Sequence, residues 1–394
     1  MKQTKTWLFA AALIACTADI AIAEHPDTCE APKSIIAFSS NRHDPAGIPA
    51  LNTGDIYLMD VDENGMPLFV DANGMSDPQF WQQLMGTDFD GFPALSPDGK
   101  GRIAFDSNRF RRSGERLNTS DLFLMNHDGS EQTHLIRGGS PSWSPDAKRI
   151  AFHASASFHA SGSGTLPIKT DPGAATFDSD IFIAKVKDLL KGKINPKNIT
   201  NSPDIDDDPD WSPDGKRIAF TRHPKEGPHD NSITAEIYAL NVKKGKLERL
   251  TFNEEEERAP AWSPDGRRIA YICRRGPLNP QGLRTFEICV MDLKNRDQSG
   301  FPVATQLTNN LVFDGAPHWS PDGKKIVFSR MQAAGRQQIW VMDLEKLDPS
   351  GFAVATQLTN APTSTQLFAT WGQICADNGD DENDENEDEQ DEDN

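Results

Sequence analysis

The sequence predicts an all-β chain closed into a six-bladed β-propeller. Three observations point there. One Trp-Ser-Pro-Asp-Gly turn recurs in phase, short apolar runs follow each turn, and the two chain ends supply complementary parts of one repeat. The stretches FPALSPDGKGRIAF, SPSWSPDAKRIAF, PDWSPDGKRIAF, PAWSPDGRRIAY and PHWSPDGKKIVF align on Leu95, Trp143, Trp211, Trp262 and Trp319. Trp371, in FATWGQIC, is a sixth anchor without the SPDG turn. The anchors are spaced 48, 68, 51, 57 and 52 residues apart, close to the length of one propeller blade.

Each piece of the repeat has a local physical reading. In SPDG, Pro presets φ, Asp accepts hydrogen bonds from the turn backbone, and Gly takes a positive φ. The runs that follow (IAF and its equivalents, then DLFLM, DIFIA, EIYAL, EICVM or QIWVM) are short and bounded by turns, so they read as strands. One repeat is thus an antiparallel sheet of about four strands with two apolar faces, and radial stacking of blades covers both. Two consecutive repeats share VMDL and SGF.VATQLTN at an offset of 51 residues (Val290 and Val341), as a recent duplication would leave them. SIIAFSSNR (34–42) and DIYLMD are later strands of a blade that lacks its WSPDG strand, and Trp371 lies on an innermost strand that lacks followers. Joined, they make the sixth blade.

Residues 1–23 have the pattern of a secretory signal peptide, with Lys2 and Lys5 ahead of an apolar run too short to span a bilayer. Two cleavage sites compete: a lipobox at Leu13-Ile14-Ala15-Cys16, which would lipidate Cys16, and Ala21-Ile22-Ala23 ahead of Glu24. The expected organisation is a leader (1–23), a propeller (24–376) and a disordered acidic tail (377–394). Export is expected, to the periplasm or, through a lipid on Cys16, to the outer membrane. Four cysteines then remain in an oxidising compartment. Cys29 and Cys375 flank the first and last repeat strands, so a bond between them would latch the ring. Cys273 and Cys289 lie on consecutive strands and can pair if their sulfurs share a face; two buried thiols are the competing reading.

The formal net charge is -19, and residues 377–394 contain 12 of the 59 acidic residues with no Lys or Arg. The remainder is only mildly acidic, which disfavours nucleic acid as a partner, so none is expected. The tail cannot bury apolar surface and reads as solvating, with weak collection of divalent cations as the alternative.

The quoted SPDG repeats together with FSSNR and GDIYLMD resemble the WD40-like, Pro-Asp repeats of the TolB-like β-propellers, over about 340 residues. The same repeats occur in tricorn-type and prolyl-oligopeptidase propellers. The resemblance implies a six-bladed ring and says little of function, because propellers carry activity in loops and channel. TolB has an α/β domain ahead of its propeller; here about ten residues separate the leader from the first strand, so the expected chain lacks that domain. No GxSxG elbow is present, and the nine histidines show no HExxH or HxH spacing.

Candidate site residues follow from the repeat frame. Five positions ahead of the anchors stand Asp90, Asp206, Glu257 and Asp314, with Gly138 and Gln366 in the other two blades. Four carboxylates, reinforced by Asp207, Asp208 and 254–257, would ring one channel mouth and attract cations or basic segments. The competing reading is that they cap turns or bond the neighbouring blade. One position ahead of the anchors, Asp210 and His318 are the ionisable residues and the expected polar channel contacts. Segment 60–71 has the spacing of a calcium loop, but a strand precedes it and Asp stands at its end where Glu is usual. A Glu-Asn-Gly hairpin turn competes with that reading, and no cofactor is otherwise expected. The Ser- and Gly-rich loop 153–179 is the longest rim excursion. The expected function is non-catalytic binding of a protein or peptide partner in the cell envelope, by a monomer, through channel mouth and rim loops. The alternative is a propeller lyase or hydrolase acting on carbohydrate or peptide through channel carboxylates.

Overall fold

A computed structural model describes residues 32–41, 55–68, 82–84, 89–110, 120–155, 179–224, 235–253, 255–278, 282, 284–332, 335–361 and 364–375. The leader, Cys16, Cys29, the acidic tail, most of loop 153–179 and the end of segment 60–71 lie outside these residues.

The described strands form six antiparallel sheets of four. Blade one runs Asp90–Leu95, Ile103–Ser107, Asp121–Met125 and Thr133–Arg137 from the channel outward, and blades two to five repeat that order. Their innermost strands are Gly139–Trp143, Ile205–Trp211, Glu257–Trp262 and Asp314–Trp319. Blade six is composite. Gln366–Ile374 from the C-terminal part is innermost, and Lys33–Ser40, Asp55–Val61 and Gln82–Gln83 follow from the N-terminal part. The ring is therefore closed by strand pairing between the chain ends. Cys375 is disulfide-bonded, while Cys29, its expected partner, falls outside the described residues. Cys273 and Cys289 are bonded to each other across adjacent strands, with their Cα atoms 5.9 Å apart.

The second strand of each blade is apolar on both faces because neighbouring blades cover both. Ile103, Ala104 and Phe105 are fully buried, as are Ile218, Ala219 and Phe220. The six core clusters accordingly lie between blades: one joins Leu122 and Ile136 of blade one to Phe152 and Phe182 of blade two. At segment 60–71, the Asp62 carboxylate accepts from the Asn64 and Met66 N–H groups, at 2.8 Å each, and closes a hairpin turn. Only Gly fits at position 65, where φ is +73° and a Cβ would strike the Trp371 ring.

The repeated turn staples blades together. In each of five turns a serine hydroxyl donates to the aspartate two residues on, as Ser212 does to Asp214 (2.6 Å). The arginine that ends the turn lies over the next blade's tryptophan. Arg102 covers Trp143, Arg149 covers Trp211, Arg217 covers Trp262 and Arg268 covers Trp319, at 4.5–5.1 Å. Each such contact is worth about 0.5–2 kcal/mol. The WSPDGKR string is therefore a blade-to-blade connector as well as a hairpin.

Candidate functional site

Every innermost strand breaks at the same place. Phe92, Ser140, Asp208, Ala259, Ala316 and Phe368, each three residues ahead of its anchor, take φ between 47° and 53°. The pairing register of each strand shifts there as a β-bulge. Left-handed backbone at a non-glycine residue costs about 1–2 kcal/mol, so the ring stores strain six times around its axis. The bulge has a correlate in sequence: Pro93, Pro141, Pro209, Pro260 and Pro317 follow five of the six residues and donate no N–H to the ladder, while Ala369 follows Phe368.

The bulge residues line a funnel of about 3450 Å³ that opens between the SPDG turns. Its wall is uneven. On one side the Phe92 and Phe368 rings stack with centroids 3.7 Å apart. On another, Asp208 accepts from the Ser140 hydroxyl (3.2 Å), and Arg258 pairs with Glu256, which also contacts Arg274 at 3.3 Å. Burial first, and then the neighbouring Asp207 carboxylate, push Asp208 up to about 7. Burial disfavours charge on His223, but Asp207 at 3.2 Å outweighs it and holds the imidazole above its ordinary value.

Of the six singled-out residues, Asp210 and His318 line the funnel. Each also reaches the next blade. Asp210 accepts from the Trp262 N–H (2.7 Å) and the Ser142 hydroxyl (3.1 Å), and His318 Nδ1 lies 3.2 Å from the Trp371 N–H. Ser142, at the same repeat position, accepts from the Trp211 N–H at 3.0 Å. Where that position is alanine, the next blade's tryptophan still donates, but through its side chain: the indole N–H groups of Trp143 and Trp319 donate to the Ala94 and Ala261 carbonyls. Burial pushes Asp210 up to about 7 and His318 down to about 4. The two occupy different blades, three and five, and each is held by its own neighbour.

Asp90, Asp206, Glu257 and Asp314 lie at the other end of the same strands, at most 1% exposed. An arginine from the second strand of the same blade, or just beyond it, holds each. Arg109 binds Asp90 at 3.0 Å and Arg275 binds Glu257 at 3.0 Å. Arg222 and Arg330 clasp Asp206 and Asp314 with two bonds apiece, between 2.6 and 2.8 Å. Burial pushes Glu257 up to about 7 and raises Asp206. None of the four lines the funnel.

Residues not singled out from sequence complete the site. Phe92 and Phe368 share a repeat position whose residue type varies from blade to blade, and they stack because the ring brings blades one and six together. Asp106 is pushed by burial up to about 7, and nothing in IAFDS marks it as different from other strand ends. Among the described residues no group of three or more His, Cys, Asp or Glu is placed to hold a metal ion.

Residues 175–299 match the family model described as the TolB beta propeller domain. Over that span the chain is similar to the TolB propellers. The Tol-Pal system protein TolB of Francisella tularensis subsp. holarctica is 28% identical over 276 residues, which cover 68% of this chain and 52% of that protein. The uncharacterized peptidase YuxL of Bacillus subtilis is 28% identical over 145 residues, 37% of this chain and 20% of that protein. The chain therefore spans about half the length of one curated relative and a fifth of the other. The crystal structure of TolB from Acinetobacter baumannii superposes with a TM-score of 0.57 and 19% identity, covering 86% of this chain and 66% of that one. At that identity the likeness is one of fold.

Proposed function

We propose that this TolB-like propeller is an exported binding scaffold whose funnel, on the SPDG rim, holds a segment of a protein partner in the cell envelope. The funnel carries the reading. At about 3450 Å³ it exceeds by several-fold the roughly 300–1,000 Å³ of small-molecule pockets, and strained backbone surrounds it on every blade. The Phe92–Phe368 stack offers an apolar wall, while Asp208, Asp210, His318 and Arg258 offer polar contacts. Asp90, Asp206, Glu257 and Asp314, each buried and paired with an arginine on the far rim, would fix the strands that carry the funnel wall. The leader-like residues 1–23 and the oxidised cysteines support export, and the relatives named TolB support protein binding.

A photo-cross-linking residue in place of Ala316, inside the funnel, tests this in cells. It is expected to trap a discrete protein that the same residue at Leu347, on an outer strand, does not trap. Identical adducts from both positions, or none from Ala316, would sink the reading.

One observation favours the enzymatic alternative. Asp208 and Asp210, both funnel-lining, are held near 7, where a carboxyl can exchange protons at neutral pH. Hydrolysis or cleavage of a peptide or oligosaccharide panel, lost in Asp208→Asn, would establish it; an inert wild-type protein would dismiss it.

A further inference from the structure

We propose that the funnel is one mouth of a channel through the ring, and that the bound segment threads it in extended form to a second mouth beside blades four and five. The cavity of about 3450 Å³ is lined along the full length of the innermost strands. Asp98, Asp146 and Gln373 line its SPDG end, and the six bulge residues line its middle. Glu256, Arg274, Phe286, Phe313 and Gln337 line it at the far rim. Backbone pairing fixes those five there. The Phe286 carbonyl accepts at 2.9 Å from the N–H of Asp314, which opens its innermost strand. Arg274 donates to the Glu256 carbonyl at 3.0 Å, and Met331 donates to the Phe313 carbonyl at 2.8 Å. Gln337 pairs with Met331 at the end of the second strand of blade five. Asp90, Gly138 and Asp206, at the far-rim entries of blades one to three, do not line the cavity, so the second mouth is lopsided.

The dimensions suit one extended chain. Even spread over about 30 Å, the cavity averages roughly 115 Å² in cross-section, about twice the 50 Å² that one strand takes at ordinary sheet spacings. The wall offers such a chain a polar contact in mid-channel. Ser329 lines the channel and is 1% exposed, and its hydroxyl has no partner among the described residues. At the same repeat position in blade three, the Thr221 hydroxyl accepts from the N–H of the next blade's bulge residue, Ala259, at 3.0 Å. That position therefore reaches the channel wall, and Ser329 presents there a hydroxyl for the backbone of a passing chain. At the second mouth, Phe286 and Phe313 meet edge to face with centroids 5.7 Å apart, and the Arg274 guanidinium lies 5.1 Å over Phe286. Arg258 and Arg274 share the Glu256 carboxylate beside them. Aromatic faces next to two guanidinium groups suit an emerging end that carries an apolar side chain and then an acidic one. Continuity of this mouth with the funnel selects the same segment as its occupant. Threading rests on the binding role proposed for the funnel.

Photo-cross-linking residues at Gln373 and at Gln337, one for each mouth, test threading in cells, with the adducts mapped by mass spectrometry. Both are expected to attach to one protein, at sites roughly six to nine residues apart, the length of extended chain that spans the strands. A plugged variant supplies a second reading. The bulge position already holds Phe in blades one and six, so Ala259→Phe with Ala316→Phe narrows the channel with residues the ring accepts elsewhere. The plugged chain, with its thermal unfolding unchanged, is expected to lose the Gln337 adduct and keep the Gln373 adduct. Adducts from the two mouths to different proteins, or a Gln337 adduct that survives the plug, overturn threading. Adducts from Gln373 and Ala316 with none from Gln337 also overturn it and leave the binding role standing. No adduct from any of the three positions removes both.

Discussion

In blades three and four, the two ends of the innermost strand place carboxylates in opposite electrostatic states. On the SPDG rim, Asp98, Asp146, Asp214, Asp265 and Asp322 remain partly or largely open to solvent. Burial works against their charge, but serine hydroxyls, turn N–H groups and adjacent Arg or Lys outweigh it, so all five lie below the usual carboxylate range. On the far rim, Asp206 and Glu257 are buried between blades, and there burial outweighs the arginines and raises both. The hydrogen-bonding partners are similar in kind. Access to water decides the sign, because the cost of desolvating a charge grows faster than a single arginine can offset.

The largest expected effect breaks the far rim. Arg330→Met leaves the Asp314 carboxylate buried without its two charged bonds and is expected to cost about 3–5 kcal/mol in denaturant unfolding. Lys324→Gln, six residues away on the SPDG rim, is expected to change stability by less than about 0.5 kcal/mol. Comparable losses in the two variants would erase the contrast.

A pair of conservative changes sharpens the comparison at the blade connectors. Trp319→Phe removes an indole bond to the Ala261 carbonyl (2.9 Å) and should cost about 1 kcal/mol more than Trp262→Phe, whose indole N–H has no acceptor among the described residues. Both tryptophans carry an arginine at 4.5 Å, so the difference between the variants isolates the hydrogen bond. Asp265→Ala should likewise cost about 1 kcal/mol by releasing the Ser263 hydroxyl and the Arg267 N–H.

The smallest effect is the pH profile. Asp210 is held near 7 in the fold against 3.8 for the free group, so the folded state keeps a proton that the unfolded chain releases. Its contribution is fully present below 3.8 and fades as pH rises through 7. Asp214 is lowered, so its contribution is present above 3.8 and is lost as pH falls through its folded value. Asp210→Asn is expected to flatten the stability decline between about pH 4 and 7, and Asp214→Asn to flatten the acid limb, in chemical denaturation at stepped pH. Matching profiles for the two variants would show that the strand ends do not differ.

Much of the ring is legible in sequence because its local rules repeat. Five SPDG turns in phase, Trp371 without a turn and SIIAF without an anchor specify six blades and the composite seam, and DVDENG forms the hairpin its turn residues favour. The arginines that bind the far-rim carboxylates were present as SNR, TRH, CRR and FSR, yet linking them to Asp90, Asp206, Glu257 and Asp314 needs the strand register. The bulge had a signal too, in the proline two residues ahead of five anchors. What that bulge displays was not legible: Phe, Ser, Asp and Ala occupy it without pattern.

By itself, then, the sequence determined the repeat, the blade count and the closure, because turn chemistry and apolar runs act over a few residues. The tertiary structure decided the sign of each aspartate's pKa shift, the meeting of Phe92 with Phe368, and the bonds that carry Asp210 and His318 to the next blade. Those depend on distances between blades fifty or more residues apart in sequence, and on how much water each group retains once the ring has closed.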